Sequence, residues 1–284
     1  WVTRFKSAEV LRVGSDGAVA KRTTIPQSEG SLAQPSKTDE FGNSFPTSKA
    51  VLLNPGTAWR TVSNAAGGAV IVHQDAVADP IEITEPSVSG SAYGGGNDGI
   101  SCGGIVKNVI STVAPDGSVV STRFSGSPLP VDVALSADGA WVAVATAGPA
   151  DFSAPRPSLV FPTDGGPVPS GASFGGAPGG GNAVTLISTA NLASGNPCAF
   201  ADGGMFSEQP VTAVAFTPNG RLLAQTREPA QLLVLSELSF GSPVAVALPG
   251  ESRADTGHDL FHRDAGGGIA CASCHPEGDR KSVV

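Results

Sequence analysis

Apolar residues come in short runs along the first 248 residues, and turn dipeptides break each run before helical spacing develops. Residues 131–135 and 140–143 are apolar-rich and flank Asp138-Gly139; residues 212–216 and 221–224 repeat that arrangement around Asn219-Gly220. A second pair matches residues 10–19, carrying Asp16-Gly17, with residues 110–119, carrying Asp116-Gly117. A weaker copy spans residues 61–72 around Gly67-Gly68. Asp-Gly and Asn-Gly supply the positive φ values that tight hairpins require, so each unit predicts strand, turn, strand. Hairpin tips are expected at Asp16, Asp116, Asp138 and Asn219. Apolar stretches such as residues 231–235 and 243–249 are strand-sized, and none approaches the ~20 residues of a membrane span.

Hairpins that recur with no helical-period segment between them predict the short antiparallel sheets of a β-propeller. The strand–x–x–Asp–Gly–strand pattern resembles bacterial seven-bladed, YncE-like propellers over residues 1–248. That resemblance implies about four blades, an incomplete ring. Residues 148–182 are rich in Gly and Pro and predict a loop that packs no core of its own. Residues 93–99 imitate a phosphate loop only in their glycines; no Lys-Ser/Thr pair follows, so they too predict a loop.

Composition narrows the classes. The 284 residues include Gly 37 and Pro 23, yet 40% are hydrophobic, which excludes a collagen or a disordered tail. A net charge of -8 and a pI near 4.9 argue against nucleic acid as a partner. The chain opens on Trp1 without an initiator Met, and residues 279–284 match a translated sequencing adapter. Both ends are therefore expected to be cut, and residues 279–284 to be foreign.

Chemistry concentrates near the C-terminus. Cys271-Ala272-Ser273-Cys274-His275 is a C-x-x-C-H, the attachment sequence for c-type haem. Two thiols at this spacing can each add across one vinyl group of the porphyrin, and the following His supplies an axial ligand to iron. Cys271, Cys274 and His275 are thus the candidate cofactor-binding residues, with His275 the metal ligand and haem c the cofactor. A thioredoxin-type redox pair would need a βαβ context, and half a zinc site would need a second ligand pair. Upstream, residues 254–262 predict a short helix with Asp255 or Thr256 as N-cap and with Gly257 and Phe261 on one face. This segment resembles the first helix of cytochrome c domains. The string Gly257, Leu260, Phe261, Cys271-Ala272-Ser273-Cys274-His275 is similar to the di-haem cytochrome c peroxidase and MauG group, except that Gly266-Gly267-Gly268 replaces an often charged connection.

The fold class expected is therefore mostly β: a partial β-propeller over residues 1–248, then the start of an α-helical cytochrome c domain over residues 249–284. The expected function is electron transfer by an exported haem protein, with the propeller as a docking or substrate platform. The alternatives are a peroxidase or MauG-type oxidoreductase and an envelope binding module with an accessory haem domain. Expected partners are a redox protein or a small-molecule oxidant, with no nucleic acid and no membrane span in this chain. The expected compartment is the bacterial periplasm or another extracytoplasmic space, where Cys102 and Cys198 would form a disulfide.

Other candidates read as decoys. His258-Asp259-Leu260-Phe261-His262 has Asp where the zincin H-E-x-x-H has its general base. His73 is expected at a blade edge, and no Ser–His–Asp grouping is expected in the propeller. Met205 is expected as a packed loop residue. The ligand opposite His275 is expected from outside this chain, because His258 and His262 lie on the helix leading into the attachment loop.

Overall fold

The computed structural model describes residues 1–80, 102, 105–124, 128–148, 183–194, 198–199, 201–205, 209–235, 243–250, 255–263 and 269–276. The predicted loop at 93–99, all of the predicted loop at 148–182 except Gly148, and the terminal residues 279–284 lie outside the described residues. The chain is mostly β, and the described residues form four separate sheets with no closed barrel among them. Sheet one contains β1 (Val2–Thr3), β2 (Val10–Val13) and β3 (Val19–Thr23). Sheet two runs through β4 (Ser28–Thr38), β5 (Ser44–Ser63), β6 (Ala69–Val77), β7 (Val106–Val113) and β8 (Val119–Phe124) as an antiparallel meander. Sheet three starts with β9 (Pro130–Leu135), β10 (Trp141–Thr146) and β11 (Val184–Ser188). The helix α1 (Thr189–Ala193) then leads to β12 (Cys198–Ala199), which pairs in parallel with β8, and to β13 (Gly203–Met205), which pairs with β11. Sheet four is the meander β14 (Val211–Phe216), β15 (Leu222–Thr226), β16 (Gln231–Leu235) and β17 (Val244–Ala247). Two short helices, α2 (Thr256–His262) and α3 (Cys271–Cys274), follow.

Six hairpins among the described residues are closed by one recurring turn. The N–H of Gly17, Gly42, Gly67, Gly117, Gly139 and Gly220 donates to the carbonyl three residues earlier at 2.8–3.1 Å. Their φ values lie between +69° and +89°, a region where a side chain is strained and glycine is not. Asp16, Asp116 and Asp138 each accept the N–H two residues on through a carboxylate oxygen, locking the turn. All four expected tips are where the dipeptides place them, and the weaker copy at Gly67 is a fifth.

The sheets pack face to face in chain order. Val10, Ile25 and Ala8 meet Ala69, Ile71 and Val113 between sheets one and two. Val70, Val72, Ile110 and Phe124 meet Val133, Val142, Val144 and Ile187 between sheets two and three. Ala143, Ala145, Leu186 and Met205 meet Val214, Leu222, Ala224 and Leu233 between sheets three and four. Both faces of the middle sheets are covered, which explains why β6 and β10 are buried along almost their whole length and show little two-residue alternation. Asp132 on β9 links three sheets: it pairs with Arg60 of β5 at 3.2 Å and accepts the N–H of Val214 on β14 at 3.0 Å.

Three local expectations need correction. Helix α1 interrupts the strand series: Ser188 caps it by accepting the N–H of Asn191, and Leu192 turns into the core. Met205 is buried as expected, but it lies on strand β13, paired with Val184, instead of in a loop. His73 is not an edge residue; it lies mid-strand on β6 between β5 and β7 and is fully buried. Asp75 and Ser111 stand beside it, so the expected absence of a Ser–His–Asp grouping is overturned. Sequence spacing concealed the grouping because its third member comes from the neighbouring strand.

Candidate haem-attachment site

The candidate site is assembled at the C-terminal pair of helices. Asp255 caps α2, its carboxylate accepting the N–H of Gly257 at 2.9 Å and of His258 at 3.1 Å. Those two backbone bonds hold the Asp255 carboxyl below the usual carboxylate range. The next turn places Phe261 against the β domain and leaves Leu260 exposed. Gly257 is exposed too, and a Cβ there would meet only the Asp255 carboxylate at 3.3 Å.

Helix α3 is a single turn formed by the C-x-x-C residues themselves. Ser273 N–H donates to Ala270 O at 2.9 Å, His275 N–H to Cys271 O at 3.0 Å, and Ala270 N–H to Ser273 Oγ at 3.1 Å. One side of the turn is anchored: Ala270 and Ala272 are buried with Leu129 and Ala147, and Trp59, Val131 and Phe261 border the cluster. Ser273 is buried as well. The other side stays accessible, with Cys271 exposed and Cys274 and His275 half-buried. The Cys274 thiol is pushed up by burial and, secondarily, by the Cys271 thiol. Both thiols are free, whereas Cys102 and Cys198 are joined to each other with their Cα atoms 5.8 Å apart.

The β domain makes specific provision for this contact. Leu129 is fully buried in the cluster at a φ of +65°, a conformation that a branched side chain adopts only when packing holds it. Ala147 N–H donates to Leu129 O at 2.9 Å and fixes that bend. Gly148 follows, where an added Cβ would lie 2.7 Å from His262 O and 3.0 Å from Pro128 O. Only glycine lets the end of α2 approach so closely. Trp59 joins this cluster to the core between sheets two and three, edge-on to Phe5 at 5.1 Å; its buried indole N–H has no partner among the described residues.

His258 and His262 sit on α2 with their rings stacked 3.9 Å apart, and His262 Nδ1 lies 2.8 Å from His258 O. Burial, with His262 second, lowers the His258 imidazole pKa. Among the described residues no three His, Cys, Asp or Glu side chains gather within reach of one metal ion.

The residues present fit a covalently held porphyrin. Two free thiols lie three residues apart on one helical turn, the following His closes that turn, and the opposite side is docked. What sequence reasoning missed is the anchor: Leu129, Ala147, Gly148 and Trp59 are remote in sequence, and only the positive φ at Leu129 marks the place. Comparison with protein-family models and with curated protein sequences returns no match.

Proposed function

We propose that this is an exported c-type haem protein whose minimal activity is electron transfer, with the serial sheets forming an arc of propeller blades that carries the haem segment. The observation that supports this reading most is the division of the four cysteines: Cys102 and Cys198 pair with each other, while Cys271 and Cys274, the two that precede His275, are free, the first exposed and the second half-buried. Cys271 and Cys274 would hold the porphyrin through thioethers, and His275 would ligate iron. Bound haem supplies a one-electron couple. The chain's own part is to hold the thiols on one turn, to keep His275 next to them and to shield one side with Ala270, Ala272 and Phe261.

The Cys102–Cys198 link suits an oxidising compartment and so supports export. No helix among the described residues is long and apolar enough to cross a membrane. The proposed partners remain a redox protein or a small-molecule oxidant. Serial face-to-face stacking of antiparallel meanders supports the blade reading, because adjacent blades of a propeller contact in that order. Acidified organic solvent is the test after expression with c-type maturation machinery. Haem should stay with the wild-type polypeptide and leave the Cys271→Ala/Cys274→Ala variant; haem extracted from wild type would sink the proposal.

A further inference from the structure

Sheet two carries a second constellation, independent of the haem proposal, on the face it turns toward sheet one. Cross-strand register sets three rows there: Ile71–Ser111–Ser121, His73–Val109–Arg123 and Asp75–Lys107. Within these rows His73 Nδ1 lies 3.1 Å from Asp75 Oδ1, a charge contact too poorly aligned to be a hydrogen bond, and His73 Nε2 is hydrogen-bonded to Ser111 Oγ at 2.8 Å. Ser111 Oγ is in turn 2.7 Å from Ser121 Oγ. His73, Asp75 and Ser111 are buried, but Ser121 is exposed. The negative charge 3.1 Å from Nδ1 favours a proton on that nitrogen by electrostatics alone, which leaves Nε2 to accept from Ser111. Ser111 can then accept from Ser121. The chain of groups leads from a buried carboxylate and base to a hydroxyl in solvent. Arg123 lies two residues along β8 on the same face as Ser121, its guanidinium donating to Glu29 O at 2.8 Å.

We infer that Ser121 is an activated nucleophile toward small acyl or phosphoryl electrophiles, with Ser111 relaying its proton to His73. In the acyl case Ser121 Oγ bonds to the carbonyl carbon of an ester. The Ser121 proton passes to Ser111 as the Ser111 proton passes to His73 Nε2, and Asp75 stabilises the resulting imidazolium. The ester C–O bond breaks, and the alkoxide leaves with a proton returned along the same relay. Water then hydrolyses the acyl-serine. Arg123 supplies positive charge near the oxygen on which negative charge develops. Ser111, His73 and Asp75 act through Ser121 and are positioning residues.

The test uses the full chain, a fluorophosphonate probe and peptide mass spectrometry. Reaction forms a phosphorus–oxygen bond and releases fluoride with the proton. Ser118 is the internal control: it is exposed on the same hairpin and bonds the Asp116 carboxylate at 2.8 Å, but it has no imidazole relay. The adduct is expected on Ser121 at least tenfold faster than on Ser118. Labelling should vanish in Ser121→Ala, fall at least tenfold in Ser111→Ala and be largely retained in Ser111→Thr, which keeps the hydroxyl. No adduct on Ser121, an adduct on Ser111 instead, or equal labelling in wild type and Ser111→Ala would each overturn the proposal.

Discussion

Removing the Cys102–Cys198 disulfide should destabilise the β domain chiefly through the unfolded chain. The bond closes a loop with a sequence separation of 96, which encloses β7 to β11 and brings β12 alongside β8. Loop-closure entropy for about 100 residues corresponds to about 4.7 kcal/mol at 25 °C, an upper figure because a compact denatured state already restricts the chain. At roughly 2–4 °C per kcal/mol for a domain of this size, the double variant should melt about 10–20 °C lower. Alanine is the right replacement, since Cys198 is buried and a serine hydroxyl there would add a desolvation penalty. Cys271→Ala/Cys274→Ala should be the background for both proteins, so that no other thiol can exchange. The assay is urea and thermal unfolding followed by tryptophan emission, because Trp59 and Trp141 report on sheets two and three. The denaturant slope should also rise, as the released chain exposes more surface. Melting curves that coincide within about 1 kcal/mol would refute the reasoning, as would two freely alkylated thiols at Cys102 and Cys198.

Three further outcomes follow from the anchor, the histidines and a buried cation. Gly148→Ala should force α2 away from Pro128 at a cost of about 1–3 kcal/mol, read as faster amide exchange at Ser273 and His275 while β10 amides keep their protection. Exchange unchanged in the helices would show that the contact with His262 O does not hold them. In the haem-loaded protein, His258→Ala and His262→Ala should leave the iron spectrum and carbon monoxide binding unchanged; a low-spin spectrum turned high-spin by either variant would make that histidine a ligand. Burial, reinforced by Arg123 and opposed by Asp75, lowers Lys107 to about 8. Between about pH 8 and pH 10.5 the unfolded chain binds a proton there that the folded one has lost, so stability should rise with pH across that window. The rise should disappear in Lys107→Met, and a flat profile in the wild type would contradict it.

The parts legible in the sequence are those fixed by local chemistry. Asp-Gly and Asn-Gly dipeptides have few conformations open to them, so Gly17, Gly117, Gly139 and Gly220 marked their hairpins directly. Asp255 could be read as a cap because the bonds it accepts lie within three residues. Cys271, Cys274 and His275 stand out as candidates because the haem chemistry proposed for them demands adjacency. Long-range partners were not legible: Ala272 looks like a spacer until Leu129 and Ala147 are seen beneath it. The burial of His73 is illegible in the sequence for the same reason. In β6 this residue stands in the pattern Val-Ile-Val-His-Gln-Asp, which does not reveal that both faces are covered or that β7 presents Ser111. Helix α1 escaped because five residues are too few to establish a helical period.

The central claim is that Cys271 and Cys274 hold a haem, and the mass of the polypeptide tests it most directly. The protein should be matured with c-type attachment machinery, fully denatured, stripped of non-covalent ligands and weighed intact, then digested. The expected mass is that of the chain plus one haem, with the whole increment on the peptide that contains Cys271, Cys274 and His275. A chain mass without that increment, or an increment on any peptide lacking the two cysteines, would contradict it.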